Sequence, residues 1–244
     1  MDSNKSMDTA AGIFCALALI LIWLITSVEV VAYGIPGYYE HEYRKYHVLD
    51  DAGIDMTMED LLQVTDEMMA YLRGNREDLH VTTVIGGESR EFFNEREIAH
   101  MEDVRALFLK GLLVRRIMAV LAVSLILFMA LRKKKDTIYI LARSFQAVSA
   151  VLAAIALALG VLISTDFTKY FTIFHQIFFD NDLWILDPAT DLLINIVPEP
   201  FFVDTALYIG LIFAVALLGV LMASTVYCKR RKAFRQSPYG HCGF

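Results

Sequence analysis

Four apolar blocks, each close to the length of a bilayer, restrict this chain more than any other feature. A span across ~30 Å of hydrocarbon needs about 20 mostly apolar residues in a helix, which satisfies its own backbone where there is no water to do so. Residues 10–33, 107–131, 138–165 and 201–228 meet or nearly meet that requirement. With 57% hydrophobic residues in a chain of 244, the one or two soluble domains that length alone would allow are excluded. The fold class is therefore membrane all-α, a four-transmembrane-helix bundle. A small extracytoplasmic α+β domain (34–106) lies between helices 1 and 2, and an aromatic interfacial segment (166–200) between helices 3 and 4.

The first block is longer than the core of a signal peptide, has Lys5 as its one upstream basic residue, and is not closed by a small-x-small cleavage site. It reads as an uncleaved anchor. Lysine and arginine placement sets the orientation. Arg132-Lys133-Lys134-Lys135 fills the 132–137 loop, and Lys229-Arg230-Arg231-Lys232 with Arg235 opens the 229–244 tail. Both clusters read as cytoplasmic, which places the 1–9 segment inside and 34–106 and 166–200 outside the cell membrane. Over 34–108 there are 17 Asp/Glu against 7 Lys/Arg, a surface that anionic headgroups would repel. A net charge of −6 and the lack of a Gly-rich phosphate loop argue against nucleic acid. Cys15, Cys228 and Cys242 all fall outside the two outer regions, so neither a disulfide nor a thiol nucleophile is expected there.

Within 34–106, Thr57 precedes a periodic apolar stretch, Met58–Leu72, that ends at Gly74-Asn75 and reads as an amphipathic helix. Residues 80–85 and 89–93 flank Gly86-Gly87 and read as a hairpin. Asn94, with Glu97 three residues on, reads as the cap of a helix that runs through His100 and Asp103 into the second span. That span is polar at its start. Lys110, Arg115 and Arg116 leave only 117–131 uncharged, about 22 Å of rise. Charges at such depth face a bundle interior or water, or snorkel to headgroups. The 166–200 segment carries the Phe, Tyr and Trp density of a membrane interface, with His175 among phenylalanines, a turn at Asp187-Pro188, and a short helix between Asp191 and Pro198.

Five of the six histidines (His41, His47, His80, His100 and His175) fall in the outer regions, with His241 in the tail. His100 and His175 stand apart because each lies within a turn or two of an outer span boundary. The i,i+3 spacing from His100 to Asp103 puts imidazole and carboxylate on one helix face, where the carboxylate could orient the ring. The sequence contains no G-x-S-x-G elbow and no H-E-x-x-H zinc helix. His41, Glu42 and His47 match no zinc spacing, so neither a metal nor another cofactor is expected. General acid–base chemistry at a lipid–water boundary remains, alongside two rivals. One is a non-catalytic lipid- or lipopeptide-binding membrane protein; the other is a metal-dependent membrane hydrolase built on His100, Asp103 and His175.

Three motifs carry a family resemblance. Y-R-K-Y-x-V at 43–48 is followed by F-F-N-E-R-E-I-x-H-M-x-D-V-R-x-L-F at 92–108, then by F-H-x-I-F-F-x-N-D-x-W-x-L-D-P-x-T-D-x-L-I-x-x-x-P-E-x-F-F at 174–202. In order, spacing and span count the chain resembles the four-span family of bacterial lipoprotein intramolecular transacylases. The resemblance implies an acyltransferase acting at the outer leaflet on a diacylated lipoprotein N-terminus. The sn-2 acyl chain of the diacylglyceryl-cysteine would move to that cysteine's own α-amino group, giving the lyso form. It implies His100 and His175 as the acid–base pair with Asp103 orienting His100, and Arg96, Glu97, Asn181, Asp187 and Asp191 as polar support. Membrane lipids would be the other partners. Tyr43, Tyr46 and Trp184 read as interface packing. Oligomeric state is open.

Overall fold

The computed structural model describes residues 2–133 and 136–236. Lys134, Lys135, His241 and Cys242, all named above, lie outside the described residues. Four helices are long and apolar enough to cross a membrane: α1 (Asp2–Glu29, continued by one wider π turn to Gly34), α5 (Glu95–Lys133), α6 (Thr137–Thr165) and α9 (Glu199–Gln236). Between them lie α2 (Tyr38–Lys45), α3 (Val48–Ala52), α4 (Met58–Arg73), the strands β1 (Thr82–Ile85) and β2 (Glu88–Glu91), α7 (Phe167–Phe178) and α8 (Leu192–Ile196). The described residues divide into two compact units, one within 2–27, 114–133, 136–162 and 210–236 and the other of 28–113 and 163–209.

In the first unit α1 is the central element. Ala16 and Ile20 pack with Phe145 of α6 and Leu217 of α9, and Trp23 meets Phe145 edge to face with ring centroids 5.8 Å apart. A second set of contacts joins Cys15 and Ala18 to Ala122 of α5. Small residues do this because lipid supplies no hydrophobic drive between helices, so close backbone approach and van der Waals contact must hold them. Gly12 shows how close that approach is: a Cβ there would lie 2.5 Å from Ser144 Oγ and 3.2 Å from Ile140 Cγ2.

The second unit has a conventional core. Thr57 caps α4, its Oγ1 accepting from the Asp60 amide at 3.1 Å, and Leu61, Val64, Met68 and Leu72 line the buried side of that helix. Tyr43, fully enclosed, shares a 2.8 Å hydrogen bond with Thr65 Oγ1. Tyr38, Tyr39 and Tyr43 gather around Phe201 of α9 with centroids 5.9–6.1 Å away. Lys45 and Tyr46 both donate to Asp204 of α9, and Tyr38 bonds Thr205 at 2.6 Å. The hairpin pairs antiparallel, with Ile85 opposite Glu88, and Gly86 and Gly87 at φ 62° and 78° make the doubly left-handed turn that two-residue hairpins prefer.

Candidate functional site

The start of α5 is built as a reciprocal cap. Asn94 Oδ1 accepts from the amides of Arg96 (2.9 Å) and Glu97 (3.0 Å), while Glu97 Oε2 accepts from the Asn94 amide at 2.7 Å. The same buried carboxylate turns its other oxygen to the Leu193 amide of α8 at 2.6 Å. Asn94 Nδ2 donates to Asp191 Oδ1 at 2.8 Å, and Asp191 Oδ2 accepts from the Asp187 amide at 2.6 Å. Asp187 in turn accepts from the Ala189 amide. Glu97, Asp187 and Asp191 therefore tie the 187–193 turn to the first turn of α5.

This register sets His100 and His175. Their rings stand 6.1 Å apart, centroid to centroid, and each residue is only 7% exposed. His175 sits late in α7, the helix that begins beneath the Asp166 cap. Its Nδ1 lies 2.7 Å from the Phe171 carbonyl oxygen, one turn back. A carbonyl can only accept, so Nδ1 carries the proton and the lone pair of the neutral ring is on Nε2. Phe171, Phe174, Phe179 and Trp184 surround the imidazole at centroid distances of 4.2, 5.5, 5.6 and 5.0 Å. Burial holds the His175 imidazole below its ordinary pKa, with the Phe171 bond offsetting part of that shift. His100 packs against Phe179 at 5.5 Å with the rings edge to face, and its Nδ1 is buried without a hydrogen-bond partner among the described residues.

Asp103 has a partner in the loop that follows α7. Its Oδ2 accepts from Asn181 Nδ2 at 2.8 Å, and no hydrogen bond joins it to His100 among the described residues. The i,i+3 spacing brings the two groups to one side of the helix, where the Asp103 charge raises the His100 pKa against the lowering by burial, and a primary amide from the 180–187 loop bonds the carboxylate. Arg96 acts on the same loop, donating to the Asp182 carbonyl and to the Ile185 carbonyl at 3.3 Å, with its guanidinium 3.5 Å from the Asp182 carboxylate. Two contributors escaped the sequence reading. Trp184, assigned to interface packing, stacks on His175 at an interplanar angle of 29°. Asn94 is bonded to Asp191 as well as capping α5. Nothing local in the sequence signals either contact, since one joins positions 97 residues apart and the other depends on how a loop folds back over its helix. Among the described residues no group of three His, Cys, Asp or Glu side chains is gathered as a metal site.

Residues 13–202 match the family described as lipoprotein intramolecular transacylase Lit. The solved structure of the membrane integral lipoprotein intramolecular transacylase Lit from Bacillus cereus superposes with a TM-score of 0.74 at 23% identity, covering 96% of this chain and all of that one. A form of that protein with one histidine replaced by alanine gives 0.72 at 21% identity, covering 94% and 97%. An uncharacterized protein of Aquifex aeolicus is 29% identical over 136 residues, 54% of this chain and 56% of its own, so the chain spans little more than half the length of that relative. The solved structures establish the membrane-integral fold, the four apolar helices make this a multi-pass membrane protein, and the family match runs over most of the sequence. The chain belongs to the lipoprotein intramolecular transacylase family.

Proposed function

We propose that this chain moves the sn-2 acyl chain of a diacylglyceryl-cysteine lipoprotein to the α-amino group of the same cysteine, with His100 and His175 as the acid–base pair. The observation that carries the reading is the pair of enclosed imidazoles 6.1 Å apart, one with a fixed tautomer. At that separation both rings can serve one reacting centre placed beside them. The neutral α-amine is the nucleophile and comes from the substrate, so the protein needs none. An α-ammonium ionises at about 7.7–8.0, whereas burial lowers both imidazoles, His100 to about 4 with the neighbouring His175 adding to the shift, so near neutral pH both rings are neutral and able to accept a proton.

His175 Nε2, the free lone pair, takes the proton that the amine loses as its nitrogen attacks the sn-2 ester carbonyl. The tetrahedral intermediate then expels the glycerol oxygen, which is protonated through the histidine pair, and the new amide remains. Nitrogen loses one proton and oxygen gains one, so mass is unchanged. Holding both reacting groups on one substrate makes positioning the main task. Arg96, Glu97, Asn181, Asp187 and Asp191 serve it by fixing the 180–193 segment, and Asp103 by holding Asn181. The basic clusters at 132–135 and 229–235 support an inside location for both chain ends and an outer-leaflet site.

The test is to incubate the purified protein with a diacylated lipopeptide and locate the acyl chains by fragmentation mass spectrometry. N-acylation that disappears in His100→Ala and His175→Ala supports the assignment, each histidine contributing roughly 10²–10⁴ in rate. A lipopeptide that binds and emerges unaltered would replace it with a binding role, and activity abolished by chelation would favour the metal-dependent hydrolase.

A further inference from the structure

The 180–187 loop does more than connect α7 to α8. Asn181 anchors it to Asp103 and Arg96 grips the Asp182 and Ile185 carbonyls, so two side chains of α5, the helix bearing His100, hold it. Trp184 Nε1 donates back to the Asn181 carbonyl at 2.9 Å, which fixes the indole over the His175 ring. Phe171 also packs against that ring, tilted by 55° with centroids 4.2 Å apart, and its carbonyl holds Nδ1.

We propose that Trp184 is a positioning residue for acyl transfer, presenting its ring face to His175 so that the imidazolium formed during proton transfer is stabilised in a site that admits little water. The proposal rests on the reading of His175 as an acid–base group. An indole face carries the strongest negative quadrupole of the protein side chains and attracts a cation stacked on it. The attraction is small for the neutral ring and grows when the ring takes a proton, so it acts on the reaction rather than on substrate binding. The titratable group that faces His175 is His100, its ring centroid 6.1 Å away; Asp103 and Arg96 on α5 act on His100, and the pKa of His175 is set by burial and by its bond to the Phe171 carbonyl. The Phe171 carbonyl holds Nδ1 on one side, and the stacked indole face adds a stabilisation that grows when Nε2 takes its proton.

Trp184→Leu keeps an apolar filler but removes the ring face, and Trp184→Phe restores a weaker one. With the lipopeptide assay, kcat should fall roughly 3- to 30-fold in the Leu variant with KM changed less than about twofold, and the Phe variant should recover much of the loss. The acid limb of kcat/KM should move to lower pH in Trp184→Leu, because the imidazolium has lost its partner. A merely structural indole would admit water when removed and move the limb to higher pH. Unchanged kcat in Trp184→Leu, or an upward limb, overturns the proposal. A variant that fails to fold is recognised by its melting temperature in detergent, and the Phe form then decides: kcat between wild type and zero with a downward limb supports the idea, wild-type kcat refutes it. His175→Ala runs alongside. If it stays active, the acid–base reading itself has failed; if it is inactive while Trp184→Leu is normal, only the role of Trp184 falls.

Discussion

Replacing Glu97 by glutamine tests how the site is held without touching either histidine. The Glu97 carboxylate is 1% exposed and accepts two short backbone hydrogen bonds, from Asn94 at 2.7 Å and Leu193 at 2.6 Å. Hydrogen bonds to a charged group contribute about 1.5–3 kcal/mol each, and an orphaned buried donor costs about 1–3 kcal/mol. Glutamine offers one oxygen, so one amide keeps a neutral bond worth about 1 kcal/mol while the other faces an NH₂ donor. Removing a buried charge recovers part of the difference, leaving a local loss of about 2–4 kcal/mol. Amide exchange through local opening should then be faster by roughly 30- to 1000-fold in the peptide covering 187–197. The assay is peptide-resolved hydrogen–deuterium exchange in detergent or nanodiscs, with α4 as the internal reference. Exchange in 187–197 indistinguishable from wild type would refute the claim that this carboxylate holds the turn.

Other outcomes follow from the same structure. Because burial lowers the His175 pKa, the acid limb of kcat/KM should fall below the ordinary imidazole value of about 6.5; its contribution to stability is present above that value and lost as pH falls toward the folded-state pKa, which pH-dependent melting would register. Glu42 is fully buried and its pKa is raised, first by burial and then by neighbouring Asp204, so the protonated form is favoured in the folded state. Stability should decline as pH rises from about 4.3 through the raised value, and Glu42→Gln should flatten that part of the melting profile. Tyr43→Phe leaves Thr65 bonded to the Leu61 carbonyl and should cost about 1 kcal/mol, a small melting shift without change in kcat. Gly12→Val should lower the melting temperature through its clash with Ser144, and Ser144→Gly should restore part of it in a double-mutant cycle.

How much of the fold and site is legible in the amino-acid sequence differs by residue, for physical reasons. The four membrane helices announce themselves because lipid imposes a length and a composition at once. Thr57, Asn94 and Gly86-Gly87 are legible because caps and tight turns are governed by neighbours within a few positions. The meeting of His100 with His175 is suggested by their places at span ends, but its 6.1 Å separation depends on packing that no local rule encodes. Asp103 shows the limit plainly: helical spacing identifies which groups are neighbours, while the partner actually chosen, Asn181, arrives from another segment. Trp184 illustrates the same limit, since an aromatic near a bilayer has a ready general explanation that conceals its stacking on His175.

The Glu97 carboxylate also constrains the order in which the molecule can be completed. One of its partners is three residues away and the other is 96 residues later in the chain. During synthesis α5 can enter the bilayer with only half of that carboxylate satisfied, while the segment carrying Leu193 has yet to leave the ribosome. The histidine of the second span and the histidine before the fourth reach their working separation only after this late turn has docked. A nascent chain halted within the third span would thus hold its first two lipid-crossing helices while being unable to assemble the site, so the proposed acyl transfer would be restricted to molecules whose insertion is nearly finished.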